Sequence, residues 1–422
     1  MRTPSTLNKT KRMFRILLLG LLLLLGLFSF SFAADTLHVR DSLQSAINNA
    51  PPGSILYLES GIYEQETIYV RTPGITLTGR KDAVLDGGSE RAILIIKADN
   101  VTVKNLTFRN TGISFRHDFA AIEVRNAKHF EIRKNTLEKN FFGIYLSEAD
   151  SGLVVENSIK TTGTREANTG NGIHLWNSNY VNIEDNYIRG HRDGIYLEFA
   201  VHAHISNNIS EHNLRYGLHY MFSDKSVYKE NIFRYNGAGV AVMYTQNVTM
   251  RDNIFENNWG PAAYGILLKD IDNSVISNNI FRNNTIGLYS EGSNGVDIHN
   301  NLFQQNGWGV KLFANSTRNV FTKNSFIENT FDVATNSRQH NNTFKSNYWS
   351  KYTGYDLDGD GIGDVPHRPV RLYSLVVQQN PVSLILHRSL FIDILDIAER
   401  VIPALTPETL VDSTPLIKDP LK

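Results

Sequence analysis

Polar and apolar positions recur in step along most of this chain. One phrase repeats: an Asn, one further residue, usually a large apolar residue, a polar pair, often a second Asn, and after a short gap a Gly that opens an alternating stretch. The leading asparagines are Asn135, Asn157, Asn186, Asn208, Asn231, Asn253, Asn279, Asn301 and Asn324, at intervals of 22, 29, 22, 23, 22, 26, 22 and 23 residues. The strand-opening glycines Gly143, Gly172, Gly194, Gly217, Gly239, Gly265, Gly287 and Gly309 keep a matching step. Two markers with one period identify a solenoid, because a single coil cannot bury its own apolar face and must stack on its neighbours. Asn tolerates left-handed backbone in turns, and stacked Asn amides bond to one another from coil to coil. Gly serves sharp bends or positive φ. The scaffold is Asn, Gly, Ile and Phe rather than Leu, which predicts an all-β, right-handed parallel β-helix over residues 34–350.

The ends and the breaks in the period follow from the same pattern. Ser42 caps a short helix reaching Ala50, stopped by Pro51-Pro52-Gly53, and this helix covers the open first coil. Insertions fall at Thr161–Asn171 and Asn258–Tyr264, with a third around Gly112–Asp118. An Asp/Gly-rich loop region is expected over residues 351–379, and a helical docking segment over residues 380–422. Within that segment Val382, Leu384 and Leu386 alternate as in a last strand. Leu390, Phe391, Ile394, Leu395, Ala398 and Val401 then recur as on one helical face up to Pro403. Thr406-Pro407-Glu408 opens another short helix. Two readings stand for this segment: a plug over the last coil, or a dock for a membrane partner through residues such as Phe391 and Leu395.

Aligning the strands on their Gly sorts the side chains. One residue on, Ile144, Ile173, Ile195, Leu218, Val240, Ile266, Leu288 and Val310 face inward. Two residues on, the outward column reads Tyr145, His174, Tyr196, His219, Ala241, Leu267, Tyr289, Lys311. Four residues on, it reads Ser147, Trp176, Glu198, Met221, Met243, Lys269, Glu291, Phe313. His219, Met221 and Met243 therefore converge on one outer face, with His174 and Glu198 extending it.

Composition changes the picture in three ways. Residues 1–33 have a basic start, an apolar run from Ile16 to Phe30 and small residues before a cut after Ala33, the layout of a secretory signal peptide; an uncleaved anchor is the other reading. The chain has no Cys, so it carries no disulfide and no thiolate, and soft-metal chemistry must use Met and His. Lys+Arg and Asp+Glu both number 42, which argues against a nucleic-acid partner. Of the five Met, two lie in the first 13 residues, and two of the other three sit beside His219 on the outer face. Thioether with imidazole selects Cu(I); an adaptable protein-contact patch is the other reading of that face.

Further on, Asp356, Asp358, Asp360 and Asp364 with Gly361 match the front of a calcium loop. His367 replaces the bidentate Glu expected at the twelfth position, and a metal-free Asp/Gly turn is the alternative. A carbohydrate-active or carbohydrate-binding β-helix is the rival function. Such an enzyme needs paired carboxylates, and Glu198 and Glu291 are four coils, ~19 Å, apart. His191 and Asp193 remain as loop groups that could contribute, and Trp176, Tyr196 and Tyr145 as residues for glycan contact.

Three segments resemble the NosD family: Arg215-Tyr-Gly-Leu-His-Tyr-Met-Phe-Ser223; Gly237-Ala-Gly-Val-Ala-Val-Met-Tyr244 with Tyr264-Gly-Ile-Leu-Leu-Lys-Asp270; and Asn347-Tyr-Trp349 through Gly354–Pro366 to Arg388-Ser389. The resemblance implies a periplasmic, non-enzymatic partner of an ABC transporter, its permease and ATPase. It also implies that copper comes from a membrane-anchored chaperone and goes to the copper–sulfur centre of nitrous oxide reductase. Docking of the C-terminal helices on the permease is the expectation that follows.

Overall fold

A computed structural model describes residues 36–422, apart from 41, 65, 115, 338–340 and 403–409. The expected signal segment and the helix opening at Thr406 thus lie outside the described residues. The chain divides into two units, 1–36 and 37–422, and the second is the solenoid. It is a parallel β-helix of three sheets with 14, 12 and 13 strands, in which each strand pairs with its counterparts one coil before and one coil after. A helix, Leu43–Asn49 (α1), precedes the coils, and the Ser42 hydroxyl accepts from the Ser45 amide at 3.2 Å.

The coils are tied by buried asparagines. The amide N–H and the side-chain Nδ2 of Asn135 both donate to Oδ1 of Asn157, at 3.0 and 3.1 Å. The same pair of bonds links Asn157 to Asn186 and each ladder Asn to the next through Asn324 and Asn347. The left-handed backbone falls on the residue before each ladder Asn, such as Lys134, Glu156, Asp185 or Asn207. The Asn is there for its amide. The glycine column also differs in its reason: Gly143 through Gly309 have no positive φ. A Cβ on Gly217 would lie 2.7 Å from the Gly239 carbonyl oxygen and 2.9 Å from the Phe233 ring, so close approach of backbone and core excludes a side chain. Inside, Phe233, Phe255, Phe281, Phe303, Phe326 and Trp349 stack from coil to coil at centroid spacings of 5.6, 4.9, 4.7, 4.9 and 4.2 Å. Each fully buried ring contributes ~2–3 kcal/mol of burial.

The C-terminal part departs from expectation. The segment expected as loop contains a helix, Leu372–Gln379 (α2). Val382–Leu386 belong to a 3-10 turn, Pro381–Leu386, because Pro381 supplies no N–H for a ladder. The helix Leu390–Val401 (α3) follows. Residues 410–422 are not helical: they return to the last coil, with Asp412 bridging Phe344 and Leu416 bridging Tyr348. Asp412 takes the place of the next ladder Asn. Its Oδ2 accepts from the Asn347 amide at 3.0 Å, from Asn347 Nδ2 at 3.0 Å and from Trp349 Nε1 at 3.1 Å. Asp412→Ala should lower unfolding free energy by ~3 kcal/mol, since three buried donors lose their acceptor. Asp412→Asn, which keeps an acceptor, should lose far less. Urea titration of both variants checks this; equal losses would overturn the ladder-cap assignment.

Candidate metal face on the outer sheet

The middle sheet carries the aligned columns, and its register matches the sequence alignment. Tyr196 pairs with His219 and Glu198 with Met221; His219 then pairs with Ala241 and Met221 with Met243. A third outward column, not anticipated, consists of the residues just before each Gly. Gly and the residue after it both face the core, so the preceding residue is turned out. In that column stand Phe142, Asn171, Asp193, Tyr216, Ala238, Tyr264, Ile286 and Trp308, with Phe331 in register after them although Asp332 follows it. Asp193 and Tyr216 lie within family-like or neighbouring segments, but strict alternation hid their orientation.

This extra column packs against the Gly+2 column, which is buried from His174 to Leu267 and half-buried at Tyr145, Tyr289 and Lys311. His174 and His219 point away from the core yet are only 8% and 5% exposed. Tyr145, His174, Tyr196 and His219 stack at centroid spacings of 4.8, 4.7 and 4.6 Å. His174, expected as a partner contact, is therefore enclosed by its ring neighbours and by Phe142. Trp176 and Glu198, in the Gly+4 column, are half-buried and do reach the surface.

His219 is held from one side. Its Nδ1 lies 3.5 Å from Asp193 Oδ2 and 3.3 Å from the Arg215 guanidinium. Arg215 in turn grips Asp193 with two bonds, at 2.9 and 2.6 Å. Burial pushes the fully enclosed Asp193 carboxyl up, but the bonds from His219 and Arg215 outweigh this and hold it below the usual carboxylate range. The other ring nitrogen, Nε2, is buried with no hydrogen-bond partner, as are those of His174, His191 and His367; only His219 has two thioethers in the adjoining outward column. An imidazole fixed through one nitrogen with the other unsatisfied is the arrangement of a metal-ligating His with its outer support. Met221 and Met243 are half-buried register partners one coil apart, and Tyr196 Oη lies 3.5 Å from Met221 Sδ. Ala238 and Ala241 stand where neighbouring coils carry bulkier groups, beside His219 and Met243. Met250 points into the core and is excluded from this face.

The Asp/Gly loop brings together Asp356, Asp358 and Asp360, whose ligand atoms all lie within 4.8 Å of one another. Asp364 is not among them but closes back on the same loop, accepting from the Leu357 amide at 2.8 Å. His367, at the twelfth position, is buried with its ring against Trp349 and Tyr352, away from a ligand role. On α3 the apolar face is split. Phe391 is 62% and Ile394 57% exposed, whereas Ile392 is buried and Leu395 packs inward against it with Tyr373 of α2. Leu395, expected as a partner contact, thus belongs to the packing of α3 onto the outer sheet, beside Trp308 and Phe331. Among the described residues no helix is long and apolar enough to cross a membrane.

Similarity to known proteins decides the family. The family model described as "Periplasmic copper-binding protein (NosD)" matches residues 155–354. The "Probable ABC transporter binding protein NosD" of Pseudomonas aeruginosa is 31% identical over 358 residues, covering 80% of this chain and 82% of that protein. This chain belongs to the NosD family. The NosD of Stutzerimonas stutzeri, under the same description, is 29% identical, covering 80% of this chain and 81% of that protein. The family model names a periplasmic copper-binding protein, and the relatives are named as binding proteins. Among solved structures, the mannuronan C-5 epimerase AlgE6 A-module of Azotobacter vinelandii superposes with TM-score 0.62 at 14% identity, covering 75% of this chain and 97% of that one. The family 28 exopolygalacturonase of Yersinia enterocolitica gives 0.57 at 11% identity, covering 76% and 79%. At these identities the likeness is one of fold.

Three buried imidazoles give this NosD protein a defined acid sensitivity. Burial pushes His174 and His367 down to about 3 and His191 down to about 4, with Arg192 adding to the effect on His174 and Arg371 and Lys351 to that on His367. Unfolded, each titrates near ~6.5, so below that pH the unfolded chain binds more protons than the folded one. The stability they contribute is complete above pH ~6.5 and is lost as pH falls toward 4, at a limiting ~1.4 kcal/mol per pH unit for each. His191→Asn restores the residue that this corner carries in later coils, and should flatten the fall in urea-unfolding free energy between pH 6.5 and 5 by about a third. An unchanged slope would show that His191 is not buried in its neutral form.

Proposed function

We propose that this chain is a non-enzymatic maturation factor for the copper centre of nitrous oxide reductase, working with an ABC transporter and accepting or passing Cu(I) at His219, Met221 and Met243. The observation that carries the reading is the orphaned, buried Nε2 of His219 beside two thioethers in adjacent register. The two thioethers are soft donors and an imidazole suits copper, a set that favours Cu(I) over hard divalent ions. With Nδ1–H donating to the Asp193 carboxylate, which Arg215 holds in place, Nε2 is left for the metal. The half-buried thioethers leave one side open to a donor or acceptor. Trp176 and Glu198 border the site in the same column and are the contact residues for a partner.

The carbohydrate reading is less well supported. Glu198 and Glu291 are separated by Met221, Met243 and Lys269 in successive coils. Asp193 is neutralised by Arg215, and His191 is enclosed. No pair of free carboxylates faces a shared opening among these groups, as hydrolysis of a glycosidic bond would need.

The outward apolar face of α3, with Phe391 and Ile394, is the surface proposed for the transporter permease. The copper chaperone and nitrous oxide reductase are the other partners of this reading. Cu(I) competition against a chromophoric chelator tests the site, and co-purification with the permease and ATPase tests the dock. Met221→Ala/Met243→Ala should lower Cu(I) affinity at least about 100-fold and leave co-purification intact. Phe391→Ser/Ile394→Ser should do the reverse. Wild-type protein that bound no Cu(I) under reducing conditions would sink the copper assignment.

For Asp356, Asp358 and Asp360 we propose a structural calcium site. The loop is tied to the returning tail by Gly363 N–H to the Pro415 carbonyl at 2.8 Å and Ile417 N–H to the Gly361 carbonyl at 3.1 Å, so an ion there would brace the cap. Millimolar Ca2+ should raise the melting temperature by a few degrees, roughly 2–4 °C per kcal/mol for a chain of this size or less. The rise should vanish in Asp358→Ala; a rise that persisted there would place the ion elsewhere.

A further inference from the structure

Eight successive strands of this sheet reach a left-handed corner residue at or near their C-terminal end. Across the coils that corner is held by Asn126, Glu148 and Asn177, then by Phe199, Phe222 and Tyr244, then by Asp270 and Gly292. Polar residues and Gly are at home there; a bulky ring at positive φ is the exception and is retained against a conformational cost. The exception occupies three successive coils, and Phe222 and Tyr244 directly follow Met221 and Met243. Their φ angles are 54°, 51° and 54°. The rings are not tucked away: Phe199, Phe222 and Tyr244 are 48%, 41% and 39% exposed. They stack on one another at 5.2 and 5.1 Å, with interplanar angles of 7° and 15°. The corner is also coupled to the metal strand, since the Phe222 amide donates to the Met243 carbonyl at 3.2 Å.

The opposite margin of the same strands carries a second stack. His212 and Tyr235, in the turns leading into the strands of Met221 and Met243, are both exposed, both at positive φ, and 5.1 Å apart at 16°. Aromatic rims thus flank the proposed copper face on both sides, over the coils that hold its ligands. Surface aromatics beside a half-buried functional centre are the usual anchors of a protein interface.

We infer that these rims are the docking surface for the protein that exchanges Cu(I) with Met221 and Met243, a partner presenting an apolar rim around its own soft-ligand copper site. The inference rests on the copper reading above. Continuity with the metal face selects this occupant: a protein body resting on Phe222 and Tyr244 brings its metal over the thioethers next to them. Ring orientation argues against a glycan. Phe222 has a ring on each face and Phe199 and Tyr244 have one face covered, whereas a sugar ring packs on an open aromatic face.

The test uses Phe199→Asn/Phe222→Asn/Tyr244→Asn, with Phe222→Asp as a second variant. Asn and Asp occupy this corner in other coils, so both variants should melt at or above the wild-type temperature. Equilibrium Cu(I) affinity against a chromophoric chelator should stay within about threefold, because no ligand is altered. The rate of Cu(I) transfer from the soluble domain of the membrane-anchored copper chaperone should fall about 30-fold in the triple variant, and its copper-free association with this chain should weaken likewise. Transfer from the small chelator should be unaffected. Unchanged chaperone transfer and association would overturn the inference, as would a wild-type glycan-array signal lost in the variant. Loss of chelator-derived binding in wild type would instead strike the copper reading, while copper-free association would still decide for or against the dock.

Discussion

The structure depends on one buried amide repeated coil after coil. Each ladder Asn accepts, through a single Oδ1, both the backbone N–H and the side-chain N–H of the Asn before it. The turn backbone is thereby satisfied inside the protein, where an unpaired group would be costly. The two bonds also fix the rise from one coil to the next, and once the rise is fixed every other column is fixed with it. Phe233 meets Phe255, and Met221 meets Met243, because the amides have already set the pitch. Asp412 shows how strict the requirement is. At the last coil, where no further Asn follows, the chain returns across 65 residues to supply one more acceptor.

That constraint explains which features the sequence displayed openly. Asn135 to Asn324 and Gly143 to Gly309 have a chemical reason to be invariant in position, so the period, the fold and the Met221–Met243 register could be read from spacing alone. Burial of the outer face could not. Strict alternation assigned His174 and His219 to the surface, but Gly and the residue after it share the inward side, so the residue before the Gly is turned out. Asp193 and Tyr216 then stand against His219 and enclose it. The one carboxylate in a mostly aromatic and apolar column was the available signal. The fold-back of Asp412 has no repeat spacing to announce it. The helical stripe through Leu395 was visible as apolar but carried no sign of which half faced the solenoid.

The two ends of the solenoid are closed by different means. At the start, α1 lies over the first coil with its N-terminus capped by Ser42. At the finish, the returning tail completes the ladder while α2 folds over the outer sheet, with Tyr373 and Val377 covering Ile286, Trp308 and Phe331. The Glu399 carboxylate of α3 accepts from the Leu372 amide at 2.7 Å and so caps α2. That leaves α3 anchored by Ile392 and Leu395 while its other apolar residues stay in solvent. The plug is served by one face of this helix, and the opposite face is the one free for the proposed dock.

A rigid ladder would suit the proposed exchange of a metal. Columns held by backbone pairing keep their register, so His219 and the two thioethers would need little ordering on binding an ion. The same rigidity makes local exceptions informative. Where every other corner of that column is Asn, Asp, Glu or Gly, three rings at positive φ conflict with local preference. Such conflicts persist where the global fold over-determines them and something outside folding gains from them. In this chain they coincide with the coils whose outer face carries an enclosed carboxylate, an imidazole with one nitrogen unspent, and two adjacent sulfurs. Backbone, packing and ligand chemistry depart from the pattern of the remaining coils at the same place.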